Sequence, residues 1–139
     1  MSYLLDTNVL SELRKGRRCD ASVSRWALSV PRSSLHTSLL VLGEIRRGVE
    51  RVRRKDQGQA RVLEGWLEQV RRTFAGRILG LDEAVVDLWG RMDVPDPVPV
   101  VDGLLAATAR RHNLVLVTRN VVDMRRTGAR LLNPFEPAS

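Results

Sequence analysis

Apolar residues along this chain fall in short, separated runs, and the runs differ in period. Tyr3-Leu4-Leu5 is a compact apolar run ending at Asp6, which predicts a buried strand. Asn8 to Leu13 predicts a short helix, followed by a polar, glycine-containing break over Arg14 to Asp20. Asp20 is placed to cap a helix running to about Ser29, which Pro31 closes. Leu35-His36-Thr37 predicts a second strand. Ser38 caps a long helix through Glu44 to about Val52, in which Leu42, Ile45, Val49 and Val52 recur at helical spacing. Residues 53–59 are charged and polar, with Gly58 as a break, and a helix follows from about Gln59 to Phe74. Arg77 to Leu81 predicts a third strand, and Asp82 caps a helix with Val85, Val86 and Trp89 on its apolar side.

Pro95, Pro97 and Pro99 make residues 94–100 a stiff, irregular connector. Asp102 opens a helix from Leu104 to His112, and Leu114 to Val117 is the clearest strand of the chain. Arg119 to Gly128 reads as a polar turn, Arg130-Leu131-Leu132 as a last strand, and the proline-containing tail from Asn133 as loose. Strands alternating with helices imply an α/β, three-layer sandwich with a short, mainly parallel central sheet covered on both faces. The expected domain is residues 1–134, with a C-terminal tail over 135–139.

Length and composition narrow the function without choosing it. A chain of 139 residues has room for one core, and 43% hydrophobic with 28% charged residues excludes a disordered or fibrous protein. No apolar run approaches the roughly 18 residues of a membrane span, and no signal-peptide pattern opens the chain, so a cytoplasmic protein is expected. A single cysteine, Cys19, excludes an intramolecular disulfide and a cysteine-rich metal site. The net charge is +7, and every basic residue except Lys15 and Lys55 is arginine. Arginine forks match phosphate, so nucleic acid is one reading of the charge and a solvated arginine-rich surface is the other. Aromatics at 4% argue against a base-stacking platform and for contact with backbone and shape.

Four carboxylates change the picture. In open α/β sheets ligands sit beyond the carboxyl ends of the strands, where strand order reverses. Asp6 ends the first strand, Glu44 lies early in the helix after the second, Asp102 opens the helix leading into the fourth, and Asp123 lies just past that strand. All four belong at one end of the sheet. Each has an ordinary reading: Asp6 as an Asx turn, Asp102 as a helix cap, Asp123 as a turn residue, Glu44 as a solvated acid. Glu44, however, stands inside the apolar stretch Leu39 to Ile45, where an unpaired carboxylate is costly. Like charges drawn together raise one another's pKa, and a hard divalent cation resolves the repulsion; oxygen-only ligands favour Mg²⁺ or Mn²⁺.

The segment Asp6-Thr7-Asn8-Val9-Leu10-Ser11-Glu12 resembles the opening motif of PIN-domain ribonucleases, especially VapC-type toxins of type II toxin–antitoxin systems. The order continues through Gly43-Glu44-Ile45, Val101-Asp102-Gly103-Leu104-Leu105-Ala106 and Leu116-Val117-Thr118-Arg119-Asn120-Val121-Val122-Asp123. The resemblance spans about Met1 to Pro134, and Met124 departs from it where the family more often has an aromatic residue. It implies a Mg²⁺- or Mn²⁺-dependent endoribonuclease acting on RNA (tRNA, rRNA or mRNA) and neutralised by a VapB-like antitoxin. Asp6 and Asp102 are then the primary metal ligands, completed by Glu44 and Asp123 directly or through water. Thr7, Asn8, Thr118 and Asn120 are candidates to orient the carboxylates or touch phosphate. The family also implies a homodimer and a higher complex with antitoxin, with Val9, Leu10, Leu13 and Trp26 as candidate interface residues.

Arg46, Arg47, Arg51, Arg53, Arg54 and Lys55 follow Glu44 closely. Arg47, Arg51 and Arg54 are the expected RNA phosphate track; a solvated helix face is the alternative, and an antitoxin could use the same region. A receiver-type signalling domain phosphorylated on Asp82 is the competing reading of the whole chain. It lacks an adjacent acidic pair after the first strand and a lysine after the last. A non-catalytic RNA-binding domain is a third, disfavoured by Asp6, Glu44 and Asp102, since a purely basic cleft would serve binding better.

Overall fold

The computed structural model describes residues 1–92 and 98–137. Five parallel strands form one sheet: β1 (Tyr3–Leu5), β2 (Leu35–Ser38), β3 (Ile78–Leu79), β4 (Val115–Val117) and β5 (Leu131–Leu132), in the order β3-β2-β1-β4-β5. The chain steps outward from β1 to β3, then returns to place β4 on the other side of β1. That reversal is the topological switch point. Parallel neighbours require crossover connections, and the helices that make them cover the sheet. Leu4 and Leu5 point to opposite faces and both are fully buried, so the sheet is covered on both sides.

Local chemistry sets the helix starts. Asp6 and Asp20 accept backbone N–H groups at the heads of α1 (Thr7–Leu13) and α2 (Ala21–Ser29). Ser38, Asp56 and Asp82 do the same for α3 (Leu39–Arg53), α4 (Gln57–Thr73) and α5 (Glu83–Arg91). Asp82 is thus an ordinary cap, its carboxylate accepting from Val85 N–H at 2.8 Å. Leu42, Ile45 and Val49 of α3 are buried, as their spacing predicts. The helix pairs α3/α4 and α5/α6 (Val100–Arg111) pack closely, and an ion-pair network of Arg46, Glu50, Arg53 and Glu64 ties α3 to α4.

Several expectations are corrected. The break before α4 is shorter than predicted: Gly58 is helical, because Asp56 caps the helix and accepts from Gln59 N–H. Helix α6 (Val100–Arg111) starts at Pro99, so Asp102 sits in its first turn and is not its cap. The polar turn after β4 holds a short helix, α7 (Val121–Met124), and a 3₁₀ turn. Met124 is 1% exposed, filling the packing position where the motif departs from the family. Val86 faces solvent while Val85 is buried. Pro134 is buried and Phe135 packs on the core, so the ordered body runs past the expected start of the tail. Val9 and Leu10 are core residues and are not available to a partner. The prolines at 95 and 97 of the expected connector lie outside the described residues.

Candidate active site

Asp6 sits where β1 ends, beside the switch point, and only 6% of its surface is exposed. Its backbone N–H donates to Val117 O (3.0 Å), which fixes it against the end of β4. Its carboxylate is held from both sides. Thr7 N–H donates to Oδ1 (2.7 Å), Thr118 Oγ1 donates to Oδ2 (2.9 Å), and Asn8 Nδ2 stands 3.4 Å from Oδ2. Thr118 is fully buried and its hydroxyl accepts from Asn8 Nδ2 (3.2 Å) and Asn120 N–H (3.1 Å). Asn8 Oδ1 accepts from Arg119 N–H (3.1 Å). The Thr118-Arg119-Asn120 turn is therefore bolted to the head of α1, and Asn120 enters through its backbone amide.

Glu44 reaches the same place from α3. Thr7 Oγ1 donates to Glu44 Oε1 (2.9 Å), which relieves the cost of a half-buried acid in an apolar stretch. Asp102 comes from the first turn of α6 and is half-buried. Asp123 comes from α7 and is exposed.

The electrostatics show that these acids feel one another. Burial pushes the Asp6 carboxyl above the usual carboxylate range, against the pull of the Thr118 and Thr7 hydrogen bonds. Burial also raises Glu44; the Thr7 hydrogen bond opposes this, the charges of Asp6 and Asp102 add to it, and Arg47 lowers it. Asp102 is raised by burial, then by Asp6, then by Asp123. Arg47 is the one cation among the causes named for these three groups. An all-oxygen donor set with uncompensated mutual repulsion suits a hard divalent cation. Among the described residues no three acidic, histidine or cysteine side chains close around a single point as they stand.

The basic stretch after Glu44 divides in two. Arg46 and Arg53 are engaged by Glu50 and Glu64. Arg47, Arg51 and Arg54 recur at helical spacing, are exposed, and have no ion pair among the described residues.

Two residues with structural roles at this end were not singled out in sequence. Glu12 is buried on α1, where it accepts from Lys15 Nζ (2.9 Å) and Asp20 N–H (2.9 Å). Its signal was an acid on the side of a helix that carries Val9 and Leu10. Phe135 lies beneath the Arg119 guanidinium, 4.5 Å from ring centroid to Cζ; local pattern in a short proline-containing tail gave no cue to it.

A doubly wound parallel sheet with carboxylates gathered at its switch point is the layout of a PIN domain, and the PIN-domain family model matches residues 3–129. The chain belongs to the PIN-domain family, among its VapC-type members. It is 33% identical to the VapC ribonuclease Y4jK of Sinorhizobium fredii, over 97% of this chain and 99% of that protein. It is 30% identical to the toxin FitB of Neisseria gonorrhoeae, over 95% of this chain and 97% of the relative. A solved structure of FitAB bound to a DNA fragment superposes with a TM-score of 0.87, at 28% identity, covering 99% of this chain and 98% of that one.

Proposed function

We propose that this protein is a metal-dependent endoribonuclease, the toxin of a toxin–antitoxin pair, which hydrolyses RNA phosphodiester bonds in the cytoplasm. The observation that carries the proposal is the buried Asp6 carboxylate, fixed by Thr7 and Thr118 and crowded by Glu44 and Asp102 with little cationic compensation. Asp6 and Asp102 would hold Mg²⁺ or Mn²⁺, with Glu44 and Asp123 completing the site directly or through water. Bound there, the cation supplies Lewis-acid stabilisation of phosphate charge and a more acidic water. The protein's part is preorganisation. Thr118 and the Thr7 amide hold Asp6 in one rotamer, and the Thr7 hydroxyl holds Glu44. Arg47, Arg51 and Arg54 lead the RNA backbone toward Glu44 along one face of α3.

The neutralising partner is a VapB-like antitoxin. A groove of about 870 Å³ between α1 and α4 is lined by Leu13, Val62, Trp66 and Phe74. Arg14 lies over Trp66 and Arg77 over Phe74 at its walls. Apolar floor and cationic walls suit an amphipathic acidic segment of the antitoxin, which makes this groove a better seat than the α3 face. The toxin itself is a homodimer in this reading. Among the described residues no helix is long and apolar enough to cross a membrane.

The test is expression with and without antitoxin, paired with RNA cleavage by the purified chain. Asp6→Asn and Asp102→Asn should each abolish cleavage and growth arrest while the protein stays folded. Full activity in either variant would refute the assignment.

A further inference from the structure

Two members of the turn Thr118-Arg119-Asn120 serve the carboxylate centre: Thr118 donates to Asp6, and the Asn120 amide donates to Thr118. The Arg119 side chain has no part in that network. It is exposed, and among the described residues its guanidinium makes no ion pair and donates no hydrogen bond. It is nevertheless held in place from three directions. Its backbone N–H donates to Asn8 Oδ1 (3.1 Å). Thr118 N–H, one residue earlier, donates to Leu132 O (3.0 Å), which ties the turn to β5. The chain leaving β5 turns at Asn133, whose Oδ1 accepts from Phe135 N–H (3.0 Å), and it sets the Phe135 ring on the core with the Arg119 guanidinium 4.5 Å above it. Arg14 and Arg77 are also stacked on rings, but they wall the groove between α1 and α4. The acids beside Arg119 do not neutralise it. Glu12 feels its charge but is engaged by Lys15 and the Asp20 amide, and Glu136 makes no ion pair among the described residues.

Arg119 lies on the opposite side of the carboxylates from the α3 arginines. In the sheet, β1 stands between β2 and β4. Asp6 ends β1, Glu44 and Arg47 ride on the helix after β2, and Arg119 follows β4. A strand that reaches the carboxylates from α3 therefore leaves them past Arg119. Arg119 is absent from the charges that move Asp6, Glu44 and Asp102, so it stands beside the carboxylate centre and not over it. Stacking covers one face of the guanidinium and leaves open its N–H edge, the edge that forks onto phosphate. It also fixes in advance rotamers that a free arginine on α3 must give up on binding. Resting on the ribonuclease reading above, we propose that Arg119, set on the Phe135 ring, anchors a backbone phosphate of single-stranded RNA on the β4 side of the cut. Phe135 is then a positioning residue that acts through Arg119, and the C-terminal segment is part of the substrate path.

The test measures binding of unstructured oligouridine in chelator, where nothing is cut, with thermal midpoints to establish that each variant is folded. Arg119→Ala should bind about five- to tenfold more weakly at moderate salt, with the slope of log K against log salt shallower by about 0.7. Arg72→Ala, which removes the same charge from the last turn of α4, should stay within about twofold of the parent. Phe135→Leu should lose about threefold, and Phe135→Tyr should recover most of that loss. In the Arg119→Ala background, Phe135→Leu should add nothing, because the ring acts only through the arginine. Should Phe135→Leu unfold, Arg119→Lys separates charge from stacking: it should keep the slope and lose part of the affinity. Unchanged affinity and slope in Arg119→Ala overturn the proposal, as does an equal loss in Arg72→Ala, which makes the effect one of net charge. An undiminished further loss from Phe135→Leu when Arg119 is already alanine overturns the role given to the ring. If RNA binding survives Arg119→Ala but the antitoxin no longer neutralises that variant, the residue belongs to the partner and the proposal falls. If the parent cleaves no RNA with Mg²⁺ or Mn²⁺ yet Arg119→Ala loses binding as expected, the nuclease reading fails and the phosphate anchor stands.

Discussion

Asp6 and Asp102 carry the same charge into the same site but are built in differently. Asp6 accepts from Thr7 and Thr118, so its carboxylate is part of the local hydrogen bonding. Asp102 has no hydrogen bond to its carboxylate among the described residues, and burial, Asp6 and Asp123 all raise its pKa. A raised native pKa means that the folded chain holds the proton more tightly than the unfolded chain. Stability from that proton is present at low pH and is lost as pH rises through the native value, so the ionised group costs stability near neutrality. Asp102→Asn should therefore raise the metal-free midpoint by about 2–5 °C, whereas Asp6→Asn also loses the acceptor for Thr118 and should show a smaller gain or a loss. Calorimetry in chelator checks both, and a lowered midpoint for Asp102→Asn would point to a structural role.

At the scale of elements, Glu12 joins the end of α1 to the start of α2. The Asp20 amide, then Lys15, holds its carboxyl below the usual range. A lowered native pKa gives stability that is present above the ordinary value of 4.5 and is lost as pH falls through the native value. Glu12→Gln should be less stable than the parent at neutral pH, and the gap should close on acidification, as read by denaturant midpoints across pH. A constant gap would mean that packing, not charge, is what the glutamate supplies. On α3, replacing Arg47, Arg51 and Arg54 by alanine should flatten the salt slope of single-stranded RNA binding by about 0.7 per lost contact, with turnover at saturating RNA near the parent value. An unchanged slope would leave that face merely solvated. Much of this layout was legible in sequence because its signals are local: Asp20, Ser38 and Asp82 announce helix heads, and Leu42, Ile45 and Val49 share one period. The convergence of Asp6, Glu44 and Asp102 was expected from one strand end and two helix starts at the same end of the sheet. What pattern could not supply was long-range. Thr7 reaching Glu44, Phe135 under Arg119 and α7 in a stretch rich in polar residues depend on elements far apart in sequence. The interface expected at Val9 and Leu10 failed because a short amphipathic helix looks the same whether its stripe meets a core or a partner.

For the whole molecule, charge is divided by region. Ion pairs stitch together residues up to Arg91, and the return half of the fold leaves its arginines unpaired among the described residues. In the proposed reading a basic body around an acidic centre would draw RNA in and leave the centre to a cation. The homodimer should appear as twice the chain mass by light scattering at micromolar concentration, and a monomer there would count against it. The most direct check is of the carboxylate centre itself: RNA cleavage by the purified parent chain, first in excess chelator and then after Mg²⁺ or Mn²⁺ is restored, with Asp102→Asn alongside. Cleavage should vanish in chelator, return with the metal, and stay absent in the variant throughout; cleavage undiminished by chelator, or restored equally in Asp102→Asn, would contradict a metal centre built on these carboxylates.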